Sequence, residues 1–232
     1  MKKLKVVITL IVILALIGGG CTLYYFYYQD TNFFSTDNAQ VTADMVDVTP
    51  EVTGKVTSWN VKEGDDIKAG QVLGHQDLGS LITSSAINSQ ALNSSADALA
   101  TKADIKSPID GKVVQSSVVE GQVVAPGMSI ATIANTSNTY IKANVEETSL
   151  FKIKPGQKVE ISIDAYSGKS FLGYVESIGQ ATESAFSTMP TLNTSGDFTK
   201  VTQLIPVKIS IMNDANLTLL PGMNSTVKIH IK

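Results

Sequence analysis

The stretch VTGKVTSWNVKEGDDIKAGQVL, Val52 to Leu73, returns downstream as IDGKVVQSSVVEGQVVAPGMSI, Ile109 to Ile130. Gly54/Gly111, Lys55/Lys112, Val56/Val113, Val61/Val118, Glu63/Glu120, Gly64/Gly121 and Gly70/Gly127 are each 57 positions apart, with no gap. Val52/Ile109, Ile67/Val124 and Leu73/Ile130 keep their apolar character at the same spacing. One repeat is too few for a solenoid, which needs at least about three units to bury a continuous core. It reads instead as two halves of one small β domain. Within each half, short apolar runs are punctuated at Gly54 and Gly111, at Gly64 and Gly121, and at Gly70 and Gly127. That spacing predicts short strands joined by tight turns in which glycine supplies positive φ. Neither half can bury its apolar face alone, so the halves are expected to interlock as a flattened sandwich of residues 50–77 and 107–135.

Between the halves lies LGSLITSSAINSQALNSSADALATKADIK, residues 78–106. Its alanines, with apolar residues at three- and four-residue intervals, are compatible with two short helices, although serine and asparagine weaken that propensity. The turn falls near Asn88 to Ser95, so Asn88, Gln90 and Asn93 become candidate contacts with a partner protein; a plain loop capping the sandwich is the competing reading.

The chain begins differently. Val6 to Tyr28 is a run of 23 residues without a charge, enough at about 1.5 Å per residue to cross a hydrocarbon core of roughly 30 Å. Lys2, Lys3 and Lys5 precede it and Asp30 follows, which predicts a cytoplasmic N-terminus and an exported remainder. Residues 1–30 are therefore expected to be a stub and single-pass anchor in the cell membrane, carrying Val6, Leu10 and Leu14 in the lipid and Tyr24 and Tyr28 in an outer aromatic belt. A cleaved signal peptide would need a shorter apolar core and small residues at the cut, and the aromatic cluster is wrong for that. A lipoprotein signal acylated at Cys21 is disfavoured by Gly18, three residues before it. Cys21 is the only cysteine, which excludes an intramolecular disulfide.

After an entry strand at 31–49, leading from the barrel region to the sandwich, and the sandwich itself, residues 136–232 change to longer alternating runs: Tyr140–Val145, Val159–Ile163, Phe171–Val175, Val207–Ile211 and Val227–Ile231. Their period of two predicts a half-buried antiparallel sheet, and five or six such strands close readily into a barrel that leaves no free edge. Glu147 to Ile153 predicts a helical turn or two, and Thr182 to Lys200 a long polar surface loop.

The ordered series VxGxV, VxEGDxIKAGQVL, an insert, SPIDGKV and VxEGQxVxPG resembles the biotinyl/lipoyl-type domain, split by a helical hairpin, of the membrane fusion (periplasmic adaptor) proteins of the HlyD class. Thr36-Asp37-Asn38-Ala39-Gln40-Val41 and the segments Glu183–Pro190, Asn193–Gly196 and Ile205–Ile209 are similar to the EmrA-like branch. The resemblance covers nearly the whole chain. It implies a mainly β protein with an N-terminal transmembrane helix, a split sandwich with a helical hairpin, and a membrane-proximal antiparallel β-barrel. It further implies a partner transporter of the inner membrane, favouring the major facilitator type, a role in multidrug efflux of small hydrophobic compounds, and a homo-oligomer. The hairpin departs from the family, being several times shorter than is usual there.

Other chemistries find little support. A biotin or lipoyl carrier presents one lysine at the tip of a tight hairpin; here Lys55 and Lys112 sit inside the repeated strands, and the insert carries Lys102 and Lys106 only near its end. His75 and His230 are the only histidines, while a zinc site wants three or four ligands, so no metal and no cofactor are expected. No GxSxG, P-loop or HExxH pattern is present, and Glu63 and Glu120 read as solvated turn residues rather than a catalytic pair. A net charge of −3 with 18 lysines, 21 acidic residues and no basic aromatic patch argues against nucleic acid. An accessory of an ABC exporter for a peptide or bacteriocin, and an envelope protein without export function, are the rival readings.

Overall fold

The computed structural model describes residues 2–78, 102–186, 202–212 and 217–231, with the side chains of residues 1–12, 26 and 30 outside that description. The chain divides into two compact units. One comprises Met1–Val41, Tyr140–Thr218 and Gly222–Lys232; the other comprises Thr42–Thr139 and Leu219–Pro221.

In the second unit the 57-residue repeat becomes paired strands. β2 (Gly54–Trp59), β3 (Asp66–Ile67) and β4 (Val72–Asp77) form the first half; β6 (Gly111–Ser116), β7 (Val123–Val124) and the start of β8 (Ala131–Glu146) form the second, with β5 (Asp104–Lys106) between them. One sheet runs β5-β4-β2-β7, and β8-β6-β3 is its counterpart. The halves exchange their shortest strands: Gly54 and Lys55 pair with Val124 and Val123, while Gly111 and Lys112 pair with Ile67 and Asp66. Each ladder maps onto the other by adding or subtracting 57. This exchange is why neither half is complete alone.

The core follows the same rule. Val48 and Ile105, Val56 and Val113, Val61 and Val118, Ile67 and Val124, and Leu73 and Ile130 are buried together in one cluster. All five pairs lie at the repeat spacing, so the alternation read in sequence is the inward face of both sheets.

The first unit holds a ring of six strands. β1 (Phe33–Val48), β12 (Asn224–His230), β9 (Lys158–Ile163), β10 (Ser170–Ile178), β11 (Leu204–Met212) and β8 are hydrogen-bonded in that order, and β1 pairs again with β8. Closure removes the free edges that an open sheet would expose. Ala39, Val41, Ile141, Ala143, Val145, Val159, Ile161, Ile163, Val175, Val207, Ile209, Val227 and Ile229 are buried and supply its interior. Within the entry strand expected at 31–49, leading from the barrel region to the sandwich, residues 33–40 pair with β12 along the barrel wall. A break in register between Thr36 and Ala39 marks a β-bulge there.

The N-terminal run is an α-helix, α1 (Lys2–Asn32), that passes directly into β1. Its described apolar side chains, among them Ile13, Leu14, Leu16, Ile17, Leu23, Tyr24 and Tyr28, are exposed. Val6 and Leu10 lie outside the described side chains, and among the described residues no helix is long and apolar enough to cross a membrane. The expected helical hairpin with Asn88, Gln90 and Asn93 also lies outside the described residues, as does most of the loop 182–200. Of that loop, Glu183–Phe186 is a 3₁₀ turn, and Glu147–Lys152 is another, where a helical turn was predicted.

Candidate functional site

Two surfaces are candidates for contact with partners: in the sandwich, the root from which the insert leaves, and in the barrel, the end nearest α1. At the insert root, β4 and β5 lie side by side with His75 opposite Asp104. His75 Nδ1 is 2.7 Å from an Asp104 carboxylate oxygen, whose other oxygen is 3.8 Å from Lys106 Nζ. Lys102 Nζ lies 3.4 Å from Glu51, and these residues with Thr49, Pro50 and Ile105 line a shallow cleft of about 440 Å³. Exposed pairs of this kind contribute little to stability, at most about 1 kcal/mol each. Their effect is to give the root a mixed-charge rim.

Beside them, Gln76 is buried and occupies the position equivalent to Ile133, 57 residues on. Its Nε2 donates to Lys102 O at 3.1 Å, while its Oε1 is buried without a partner among the described residues. The repeat is broken by a polar side chain at the point where the first half leads toward the insert.

The glutamates expected to be solvated turn residues do more than that. Glu63 Oε1 accepts from the Ser116 amide at 3.1 Å, and Glu120 Oε1 accepts from the Trp59 amide at 3.3 Å. Ser116 and Trp59 are themselves equivalent residues, and Trp59 Nε1 donates to Ser116 Oγ at 2.9 Å. Each glutamate therefore ties its own turn to the other half, and neither sits in a catalytic arrangement. Gly64 and Gly121, with φ of 94° and 89°, donate to Val113 O and Val56 O, both at 2.8 Å. Gly70 and Gly127 also have positive φ, 78° and 86°. Gly54 and Gly111 differ from the expectation: they open strands β2 and β6 and lack positive φ. Their requirement is space, since a Cβ on Gly54 would come within 2.9 Å of Asp77 O and one on Gly111 would strike Ala134 O.

In the barrel, the bulge at Asp37 and Asn38 forms one wall of a polar cleft of about 600 Å³ lined also by Phe34, Asn144, Glu146 and Leu204. Asn144 Nδ2 donates to Asn38 Oδ1 and to Glu183 Oε2, each at 3.2 Å, and Lys142 Nζ lies 2.6 Å from Glu183 Oε1. The Thr36–Val41 motif is thus tied through Asn144 to the start of the loop segment singled out in the sequence.

Among the described residues no group of three or more His, Cys, Asp or Glu is placed to hold a metal ion. His230 pairs with Glu160 at 3.0 Å, apart from His75. Lys55 and Lys112 lie within β2 and β6, and Lys112 is held by Asp66 and Gly64 O, both at 2.8 Å. What the arrangement offers is shape and hydrogen bonding for docking.

A split sandwich with interlocked halves, joined in sequence to a six-stranded barrel, is the architecture of a membrane fusion adaptor. The chain belongs to the membrane fusion protein family: residues 44–136 match the RND MFP barrel-sandwich hybrid domain, and residues 139–229 match the YknX-like beta-barrel domain. It is 40% identical over 205 residues to the provisionally named efflux system component YhbJ of Bacillus subtilis, covering 87% of this chain and 81% of that protein. It is 35% identical over 129 residues to the colistin resistance protein EmrA of Acinetobacter baumannii, covering 55% of this chain and 36% of that protein. The chain therefore spans about a third of that EmrA relative's length. The solved periplasmic adaptor protein EmrA shares its fold, with a TM-score of 0.52 at 17% identity over 86% of this chain and 98% of that one. Membership makes this protein a non-enzymatic, EmrA-like adaptor of efflux.

Proposed function

We propose that this protein is the membrane-anchored adaptor of a multidrug efflux system, coupled to an inner-membrane transporter of the major facilitator type that exports small hydrophobic compounds. The observation that carries the reading is the succession of two matched domains over 44–136 and 139–229, together with 40% identity to an efflux component across 81% of its length. Its mechanism is assembly and passage rather than bond-making.

In this reading residues 1–30 anchor the chain in the cell membrane once, with the N-terminus cytoplasmic. The support is the 23-residue uncharged run from Val6 to Tyr28, continuous with a helix whose described apolar side chains face outward on all sides. Residues 50–77 with 107–135 form the lipoyl-like domain, 136–232 the barrel with the strand from 31–49, and 78–106 a short hairpin whose Asn88, Gln90 and Asn93 contact a partner. Homo-oligomers complete the assembly.

The test is deletion of the gene with its neighbouring transporter intact, followed by measurement of drug accumulation and peptide secretion. Raised drug accumulation alone supports the proposal. Lost peptide secretion alone points to an ABC exporter, and no change in either overturns the adaptor role. Crosslinking in intact cells and recovery of the membrane complex identifies the transporter directly.

A further inference from the structure

The end of the barrel nearest α1 carries an exposed aromatic set among lysines. Phe151 is 76% exposed, at the tip of the 3₁₀ turn Glu147–Lys152, which buries none of its residues. Lys152, Lys154 and Lys158 are exposed along the segment that follows, while Ile153 between them points into the barrel and is 3% exposed. Leu150 and Phe151 also face a groove completed by Ile178, Gly179, Ala181 and Ile205. Phe151 is not alone: with Leu150, Ile178, Ala181 and Ile205 it makes a contiguous apolar patch bordered by exposed lysines, the kind of surface that marks a contact.

Backbone hydrogen bonds fix where this turn sits relative to the helix. Ile231 N donates to Asn32 O, the last residue of α1, at 2.8 Å. Gln157 Nε2 then donates both to Ile231 O at 3.3 Å and to Lys152 O at 3.1 Å, while Gln157 Oε1 accepts from Lys154 N at 2.8 Å. One glutamine side chain thus clamps the Phe151–Lys154 segment beside the point where the helix enters the barrel. Aromatic contact is continuous across that point: Tyr28 packs edge-on to Phe33 at 6.4 Å, Phe33 packs on His230 at 4.7 Å, and Lys228 Nζ lies 4.1 Å above the Phe33 ring.

Resting on the anchor reading above, we infer that the turn Leu150–Lys154 is a second membrane contact: Phe151 enters the headgroup layer of an anionic bilayer, and Lys152, Lys154 and Lys158 lie against lipid phosphates. Tyr24 to Tyr28 mark the aromatic belt, and helix end Asn32 is four to eight residues further on, roughly 6 to 12 Å at 1.5 Å per residue. That distance brings the clamped turn to the outer edge of the headgroup layer, within reach of a phenylalanine side chain. Lysines so placed feel an anionic surface within a Debye length, and an aromatic side chain beside them suits the interface. Glu146 and Glu147, at the start of the same turn, are the opposing charges; Glu146 Oε2 accepts from Thr148 Oγ1 at 3.4 Å. The occupant is lipid rather than the transporter because the contact runs on from the helix that lipid would surround.

Brominated-lipid quenching of tryptophan in the full chain, reconstituted in vesicles without any transporter, tests this. Wild type carries Trp59 alone and sets the baseline. Phe151→Trp keeps an aromatic wedge at the rim, Leu14→Trp reports the helix, and Lys169→Trp, at the β9–β10 turn on the far end of the barrel, reports water. Quenching above baseline is expected for Leu14→Trp and Phe151→Trp and not for Lys169→Trp. The signal at position 151 should be several-fold weaker in phosphatidylcholine alone than with phosphatidylglycerol added, and Lys152→Gln with Lys154→Gln should abolish that difference. Quenching at 14 but not at 151 overturns the inference while the anchor stands. No quenching at 14 overturns the anchor and this contact with it. Equal quenching at 151 with and without phosphatidylglycerol overturns the contact of the lysines with anionic lipid.

Discussion

The two halves of the sandwich share one ladder and one core but not one surface. Leu73 and Ile130, Val56 and Val113, and Glu63 and Glu120 have the same environments by the 57-residue shift. At the exposed positions Lys62, Asp66 and Gln71 are answered by Val119, Val123 and Met128. Duplicated positions are held alike where both halves must fit one core, and drift apart where they meet solvent. One buried departure, Gln76 for Ile133, puts a polar side chain where the other half is apolar, and it falls on the half that leads toward the insert.

Equivalence is tested most strongly in the core. Leu73→Ala and Ile130→Ala should each cost about 2–5 kcal/mol, because both side chains are fully enclosed. Urea unfolding should return the two values within about 1 kcal/mol of each other; a large gap would show that the halves do not carry the core equally. Close approach comes next. Gly111→Ala should destabilise by about 1–3 kcal/mol, with Gly54→Ala no worse, since the backbone oxygen facing Gly111 is nearer. Thermal melts of the two variants that reversed that order would contradict the geometry.

Weaker effects probe the ties and the asymmetry. Glu63→Ala and Glu120→Ala should each lower stability by at most about 1 kcal/mol, discounted for exposure, and the double variant should depart from additivity because Trp59 Nε1 and Ser116 Oγ join the two ties in one network. Gln76→Ile copies the second half onto the first. It removes a buried oxygen that has no partner among the described residues and one hydrogen bond to Lys102 O, so a net gain of up to about 1 kcal/mol is expected. A loss above about 2 kcal/mol in the same melt would mean that the glutamine holds the insert root in place. Exchanging the surfaces by Val119→Lys, Val123→Asp and Met128→Gln should change stability by no more than about 0.5 kcal/mol per site.

Much of this was legible before any coordinates. The repeat spacing named the core pairs, because inward positions of interlocked halves must stay apolar together. The alternation after Asn135 named five barrel strands, because period two is the signature of a half-buried sheet. Phe33–Val41 was harder: Ser35, Asp37, Asn38 and Gln40 dilute its alternation, the bulge at Thr36–Ala39 shifts it, and its partner β12 lies at the other end of the chain. Glu63 and Glu120 looked like turn residues since nothing local reveals that their acceptors reach amides 53 and 61 positions away. The cleft beside Asn144 and the clamp by Gln157 gave no local signal either, for the same reason.

The sequence by itself determined the duplicated sandwich, the uncharged N-terminal run and the family, since each is written in spacing, hydrophobicity or an ordered set of motifs within short windows. Only the tertiary structure decided that the halves exchange strands and glutamate bonds, that residues 33–40 are barrel wall, and that Gln157 gathers Lys152, Lys154 and Ile231 beside the end of α1. Apart from the two short-range bonds of Gln157 to its own turn, those contacts join residues tens to nearly two hundred positions apart, and their partners are set by how closed sheets bring distant backbone groups into hydrogen-bonding range.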